Sequence, residues 1–150
     1  ILLVLDQASK LVIDHYVPFH QSREVIAGFL SIVHVQNKGA AFGLLAHIPG
    51  AAHIFVITSL IAIVLILVYF RLIKEGEVWT PLCLSLILTG AVGNLIDRFR
   101  LGSVIDFLDV HYKGWHWPAF NVADASITIG VILLAFKILW GEKKTFGEER

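Results

Sequence analysis

The chain has 150 residues, of which 57% are hydrophobic and only 16% charged, and its mean hydropathy of +0.76 puts it well beyond a soluble domain, so a bilayer is its natural solvent. A formal net charge of +0 and a pI near 7.2 leave no basic surface of the kind that nucleic-acid binding needs, and nucleic acid is excluded as a partner. The single cysteine, Cys83, has no disulfide partner in the chain and lies in an apolar stretch, where it is expected to be a small packed residue.

The chain contains no Met and opens at Ile1 within a hydrophobic run. No small-residue cleavage pattern follows Ile1 to Leu5, so the run reads as the remainder of a first membrane span, roughly residues 1–17, with the natural N-terminus expected upstream. Asp6, Lys10 and Asp14 interrupt it, and Asp6 and Lys10, four apart, share a helical face. Val25 to Gln36 is rich in β-branched and aromatic residues, with Gly28 as a turn or bulge, which predicts a small extramembrane antiparallel sheet at roughly 22–37. Ala40 to Leu45 is apolar but too short to span, and an interfacial segment is expected there. Two uncharged runs, Ile54 to Phe70 and Val78 to Ile96, predict spans at roughly 52–70 and 79–97. A loop from Arg98 leads back toward the membrane. His111 to Pro118, with Gly114 between aromatics, reads as a hairpin whose Trp115 and Trp117 sit at headgroup level. A fourth span is expected at roughly 119–140, with Asp124 near its start and Lys137 and Trp140 at its close, and from Gly141 the tail is polar and expected to fray.

The expected fold is therefore all-α, with four transmembrane helices plus a small extramembrane antiparallel sheet, in a single domain over 1–150. Four spans place 18–50 and 98–116 on one side of the bilayer and the short 71–79 loop and C-terminal tail on the other. Asp97, Arg98, Asp106, Asn121 and Asp124 then fall near one membrane face, and the Asp6 and Lys10 end of the first span points there too. Lys and Arg are balanced between the two sides, so the positive-inside rule does not say which face this is.

Ionisable side chains in spans are costly and face the protein interior or a wet cavity, which makes function the default reading of them. Gly90, Gly93, Asn94 and Asp97 lie at i, i+3, i+4 and i+7, on one helical stripe. Close helix packing accounts for the glycines but not for Asn94 and Asp97. Asp97 reads either as the partner of Arg98 in a structural ion pair at the helix end or as a catalytic acid. Asn121 and Asp124 are one turn apart at the start of the fourth span, with Thr128 a turn further, and N-capping accounts for one of the first two. Asp106 sits between apolar neighbours, Ile105 and Phe107, in a loop that is expected to be partly buried.

Three acids, Asp97, Asp106 and Asp124, thus gather near one surface, and neither Ser103 nor Ser126 has an evident base partner. A metal site through Asp106, Asp109, His111 and His116 is a minor alternative, because no His-Glu-x-x-His helix accompanies them. Two carboxylates sharing a site supply a different chemistry, because repulsion leaves one protonated and the other ionised, an acid and a base from one residue type. A proton-coupled transporter would spread acids through the bilayer depth, whereas here they cluster at one face. A non-catalytic scaffold leaves the dense Asn and Asp on helix faces without a role.

These residues resemble the lipoprotein signal peptidases, or signal peptidase II, through five separated motifs in family order over essentially the whole chain. The motifs are Asp6-Gln7-Ala8-Ser9-Lys10, Asn37-Lys38-Gly39-Ala40-Ala41-Phe42, Gly90-x-x-Gly93-Asn94-x-x-Asp97-Arg98, Val104-Ile105-Asp106-Phe107 and Phe120-Asn121-x-Ala123-Asp124. The resemblance implies a catalytic dyad of Asp106 and Asp124, with Asp6, Lys10, Asn37, Gly39, Asn94, Arg98 and Asn121 lining the substrate site and Asp97 in an accessory or structural place. It also implies an aspartic endopeptidase that takes a prolipoprotein whose lipobox cysteine carries diacylglycerol and cuts on the N-terminal side of that cysteine. The sheet would cradle the substrate and the segment after Gly39 would cover it. The expected setting is the bacterial cytoplasmic (inner) membrane, crossed several times, with the site toward the periplasm or cell exterior. Membrane lipid and lipid-modified prolipoprotein are the expected partners, the expected state is a monomer, and no metal or organic cofactor is called for.

Overall fold

The first helix, α1 (Leu2–Tyr16), is polar on the inside and apolar on the outside: Asp6, Lys10 and Ile13 are buried, whereas Val4, Leu5, Leu11 and Val12 are exposed. Such inversion suits a helix whose outer face meets lipid and whose charges can be satisfied only by other helices. It ends before Pro18, with Val17 in extended geometry as the residue ahead of a proline requires. The computed structural model describes residues 1–39 and 51–145, so the expected interfacial segment Ala40 to Leu45, and with it Ala40, Ala41 and Phe42 of the second motif, lies outside the described residues.

β1 (Ser22–Ile26) and β2 (Leu30–Asn37) form the expected antiparallel pair, joined by a turn in which Gly28 has φ +67°. Beyond expectation, β3 (Val104–Tyr112) pairs antiparallel with β2, and β4 (Trp115–His116) completes a four-stranded sheet in the order β1-β2-β3-β4. The segment carrying Asp106 is thus a strand and not the expected loop. The sequence obscures this because β3 finds its partner some seventy residues upstream, and Val104 to Phe107 are buried on both faces and so show no alternation. The hairpin expected at His111 to Pro118 is present, turning at Lys113 (φ 49°) and Gly114 (φ 81°). Ile13 and Val17 pack against Ile105 and Phe107, and His34 Nδ1 lies 2.7 Å from the Val17 carbonyl, which fixes the sheet over the end of α1.

α2 (Ala51–Phe70), α3 (Trp79–Leu101) and α4 (Val122–Thr145) complete the fold. Among the described residues three helical stretches are long and apolar enough to cross a membrane: His53–Phe70, Trp79–Leu101 and Val122–Leu139. α1, with 15 residues, is shorter than they are. The chain is mostly helical with a small antiparallel sheet, and three of its helices have membrane-spanning character. α3 runs one turn past the expected end at residue 97, because Gly102 supplies the left-handed cap (φ 69°), and so Asp97 and Arg98 lie within the helix. α4 starts at Val122 and continues to Thr145, through the start of the tail that was expected to fray from Gly141.

α3 is central and packs against α1, α2 and α4. A Cβ on Gly90 would fall 2.3 Å from the Ala123 carbonyl oxygen, and one on Gly130 would fall 2.8 Å from the Cys83 carbonyl oxygen. Small residues on both helices therefore let the α3 and α4 backbones approach closely, where lipid offers no hydrophobic drive to hold helices together. Gly93 makes room for Asp6, whose Oδ2 would lie 2.5 Å from an added Cβ. Cys83 is buried in this packing, as expected of it. At the other end of the bundle Lys137 bonds to Glu77 and Thr80, tying α4 to the start of α3.

Candidate active site

α4 begins with a reciprocal cap. The Asp124 backbone N–H donates to Asn121 Oδ1 (2.9 Å), and the Asn121 backbone N–H donates to Asp124 Oδ2 (3.3 Å). Capping thus involves both residues and not one, an Asn-x-x-Asp version of the capping box that the sequence pattern already displayed. It leaves Asn121 Nδ2 and Asp124 Oδ1 available for other partners.

Three asparagines from three elements meet the two carboxylates there. Asn121 Nδ2 donates to Asp106 Oδ1 (2.8 Å), Asn37 Nδ2 donates to Asp106 Oδ2 (3.0 Å), and Asn94 Nδ2 donates to Asp124 Oδ1 (2.8 Å). The β2–β3 register makes the second contact possible, since Val35 is opposite Asp106 and Asn37 is its diagonal neighbour on the same face. Each amide is held the right way round by a group that can only donate to its oxygen: the Asp124 N–H for Asn121, the Gly39 N–H for Asn37 (2.9 Å) and the Lys10 ammonium for Asn94 (3.0 Å). All four carboxylate oxygens of Asp106 and Asp124 therefore face N–H donors.

Asp6, Lys10 and Asp97 lie beneath this layer and are fully buried. Lys10 Nζ lies 3.0 Å from Asp6 Oδ2 and 2.9 Å from Asp97 Oδ2. Asp97 pairs with Lys10, so the ion pair expected with Arg98 is not the one formed. Adjacent residues on a helix point about 100° apart, and the face of Asp97 turns toward α1. Asp97 Oδ2 also accepts from the Ile105 N–H (3.3 Å), and Asp6 Oδ1 accepts from the Ala123 N–H (2.9 Å), so the network spans α1, α3, β3 and α4. Gln7, not singled out from the sequence except as part of a motif, donates to Asp6 Oδ2, the Gly93 carbonyl and Asp97 Oδ1. Its position next to Asp6 in that motif was the signal for it.

A cavity of about 510 Å³ opens beside the dyad, with Asn37, Gly39, Asn94, Arg98, Asp106 and Asp124 on its polar side and Trp117, Phe120, Ile127 and Ile129 among its apolar wall. Of the residues expected to line the site, Asp6 and Lys10 stand behind that wall, and Asn121, fully buried, reaches it through Asp106, Asp124 and Asn94. Arg98 sits over the Phe55 ring, 5.5 Å from its centroid, and donates to the Asn94 carbonyl (3.4 Å). Burial, and secondarily the charge of Asp124, push the Asp106 carboxyl up from an ordinary 3.8 to about 7, against the pull of the Asn37 and Asn121 N–H groups and of Lys10.

The other candidates have structural partners. Ser103 donates to Gln36 Oε1 and Ser126 to the Leu86 carbonyl. His116 Nδ1 lies 3.0 Å from both oxygens of Asp109, while His111 Nε2 contacts Ser31 Oγ, and Asp106 is turned inward away from them. Among the described residues no cluster of three metal-ligating side chains forms.

A helical bundle with membrane-spanning character and two carboxylates beside a cavity near one end is the framework of a membrane enzyme. The chain belongs to the signal peptidase II family, whose model matches residues 1–140. It is 48% identical over 142 residues to the lipoprotein signal peptidase of Geobacter sulfurreducens, covering 95% of this chain and 89% of that one. With the lipoprotein signal peptidase of Geobacter metallireducens it shares 46% identity over 95% of this chain and 88% of the relative. Its fold matches a bacterial membrane enzyme solved by the in meso method at 2.3 Å resolution, with a TM-score of 0.85 at 35% identity over 95% of this chain and 85% of that one. Membership makes the protein a hydrolase, a protease of lipoprotein processing.

Proposed function

We propose that this chain is an aspartic endopeptidase that removes the signal peptide from diacylglyceryl-modified prolipoproteins, cutting on the N-terminal side of the lipidated cysteine. The observation that carries the reading is the division among the acids. Asp6 and Asp97 share the Lys10 ammonium, whereas Asp106 and Asp124 have only N–H donors on their oxygens and line the cavity together. Burial and the Asp124 charge push the Asp106 carboxyl up to about 7, so Asp106 is assigned the proton that the pair shares and Asp124 the role of base. Asp124 takes a proton from a water molecule as its oxygen attacks the scissile carbonyl, and Asp106 donates its proton to the developing oxyanion. Collapse of the tetrahedral intermediate breaks the C–N bond: the proton that Asp124 received passes to the amine of the departing cysteine, and the hydroxyl that becomes the carbonyl returns its proton to Asp106. Arg98, on the polar side of the cavity, binds peptide carbonyls, and the apolar wall accepts the lipid. The scheme uses neither a metal nor an organic cofactor.

The diacylglycerol anchors the scissile bond at headgroup level, so the dyad meets the peptide at high effective concentration. The apolar outer face of α1 supports its inclusion as a fourth span, at about 22 Å a little short of the hydrocarbon thickness. On this reading the whole chain is one peptidase domain, acting as a monomer in the bacterial cytoplasmic membrane with its site toward the periplasm or cell exterior. Incubating the purified protein in lipid with a diacylglyceryl-modified prolipoprotein should release the intact signal peptide, identified by mass. No release, or equal turnover of the same substrate without its lipid, would refute the assignment.

A further inference from the structure

Lys10 is a buried cation in a chain with few of them, and it touches neither the cavity nor either carboxylate of the dyad. Its ammonium carries three protons and no lone pair, and its three partners are Asp6 Oδ2, Asp97 Oδ2 and Asn94 Oδ1, at 3.0, 2.9 and 3.0 Å. Whatever part of Asn94 faces Lys10 must therefore be its oxygen. The other arm of the same planar amide, Nδ2, points at Asp124 Oδ1 from 2.8 Å.

Resting on the proposed peptidase reading, we propose that Lys10 is a positioning residue for the hydrolysis: it holds the Asn94 amide oxygen-inward, so that Asn94 presents its N–H to Asp124 and keeps that carboxylate the ionised base. The need for such a holder follows from the neighbours. Asp6 and Asp97 share Lys10 with the Asn94 oxygen and are acceptors for an amide N–H turned that way, as Asp124 is on the other side. With only carboxylates on both sides the amide would be free to turn, and only a donor-only group between Asp6 and Asp97 decides its sense. Asn121 Nδ2, which also reaches Asn94 Oδ1 at 3.3 Å, is committed to Asp106 and the Ile105 carbonyl as well. The charged groups around Asp124 are Lys10 and Asp6 from α1, Asp97 and Arg98 from α3, and Asp106 from β3. Of these Lys10 alone is bonded to the Asn94 side-chain oxygen, since Arg98 reaches only the Asn94 backbone carbonyl.

A turned Asn94 would set its oxygen against Asp124 Oδ1, two acceptors that only a proton on Asp124 reconciles, and a protonated Asp124 cannot be the base. The test is the double variant Lys10→Met with Asp97→Asn, which leaves the net charge of the buried cluster unchanged while removing the donor-only group. On the acidic limb its kcat should fall about tenfold with KM held within about twofold, because the limb of the kcat profile should move up by about one pH unit, the equivalent of a tenfold loss of ionised base there. A raised KM with an unmoved limb would instead make Lys10 a substrate-binding residue and overturn the proposal, as would a profile like that of the parent. Should that double variant fail to accumulate, Lys10→Gln with Asp6→Asn decides, because it too leaves the net charge of the cluster unchanged and replaces the donor-only group with an amide that can also accept. The acidic limb should rise there too, and an unmoved limb rejects the inference. Absence of cleavage by the unaltered protein would refute the peptidase reading, whereas a cleaving parent with unshifted variants refutes only the role of Lys10.

Discussion

Replacing Asp106 with Asn removes the acid whose affinity for a proton burial raises from 3.8 to about 7, and the consequences for stability and for activity have different pH dependences. Because the folded value lies above the unfolded one, the native state binds the extra proton between the two. The contribution of Asp106 to stability is therefore fully present below about pH 4 and is lost as pH rises through about 7. A rise of about three units at ~1.4 kcal/mol each comes to roughly 4 kcal/mol lost by pH 8. The Asn side chain does not titrate, so it escapes this loss, but its own N–H2 must face one of two held donors, Asn37 Nδ2 or Asn121 Nδ2, at a cost of about 1–3 kcal/mol. Asp106→Asn should thus melt below the parent near pH 4.5 and above it at pH 8, by roughly 4–8 °C for a net ~2 kcal/mol in a chain of this size. Thermal melts in detergent micelles across that range measure it, and parallel curves for parent and variant would refute the burial argument. Activity should fall by about 10³-fold or more at every pH, and adding Asp124→Asn should cost little further because the two acids act as one unit.

Gly90→Ala should destabilise the bundle by about 1–3 kcal/mol, since its Cβ meets a backbone carbonyl that cannot move without separating α3 from α4, and melting of the purified variant reads this directly. Cysteines placed at Lys113 and at Glu75 should react with a membrane-impermeant thiol reagent from outside and inside the cell respectively, with the buried Cys83 silent in both. The reverse labelling would invert the proposed topology.

Much of this protein is legible in the order of its residues. Hydropathy is a local property, and runs such as Ile54 to Phe70 must become helices in a bilayer because no other open structure satisfies their backbone there. The small residues at Gly90 and Gly93 announce close packing, and the five motifs identify the family without any coordinates. The turns at Gly28 and Gly114 are likewise local, each set by a residue that tolerates positive φ. The Asn121–Asp124 cap was available from the sequence too, and reading it as a single cap missed half of it.

What only the tertiary structure decided is which polar group answers which. The sequence sets Asp97 beside Arg98, yet its partner is Lys10 on another helix, because α1 and α3 approach at Gly93 and the Asp97 face turns that way. Asp106 reads locally as a loop acid but lies on a strand, because a strand without alternation is defined by its partner, here β2. The senses of the Asn37, Asn94 and Asn121 amides depend on donors supplied by Gly39, Lys10 and Asp124. Periodicity places a side chain on a face of its own element, but a hydrogen bond needs a second group within about 3 Å, and where that group comes from another element only packing brings it there.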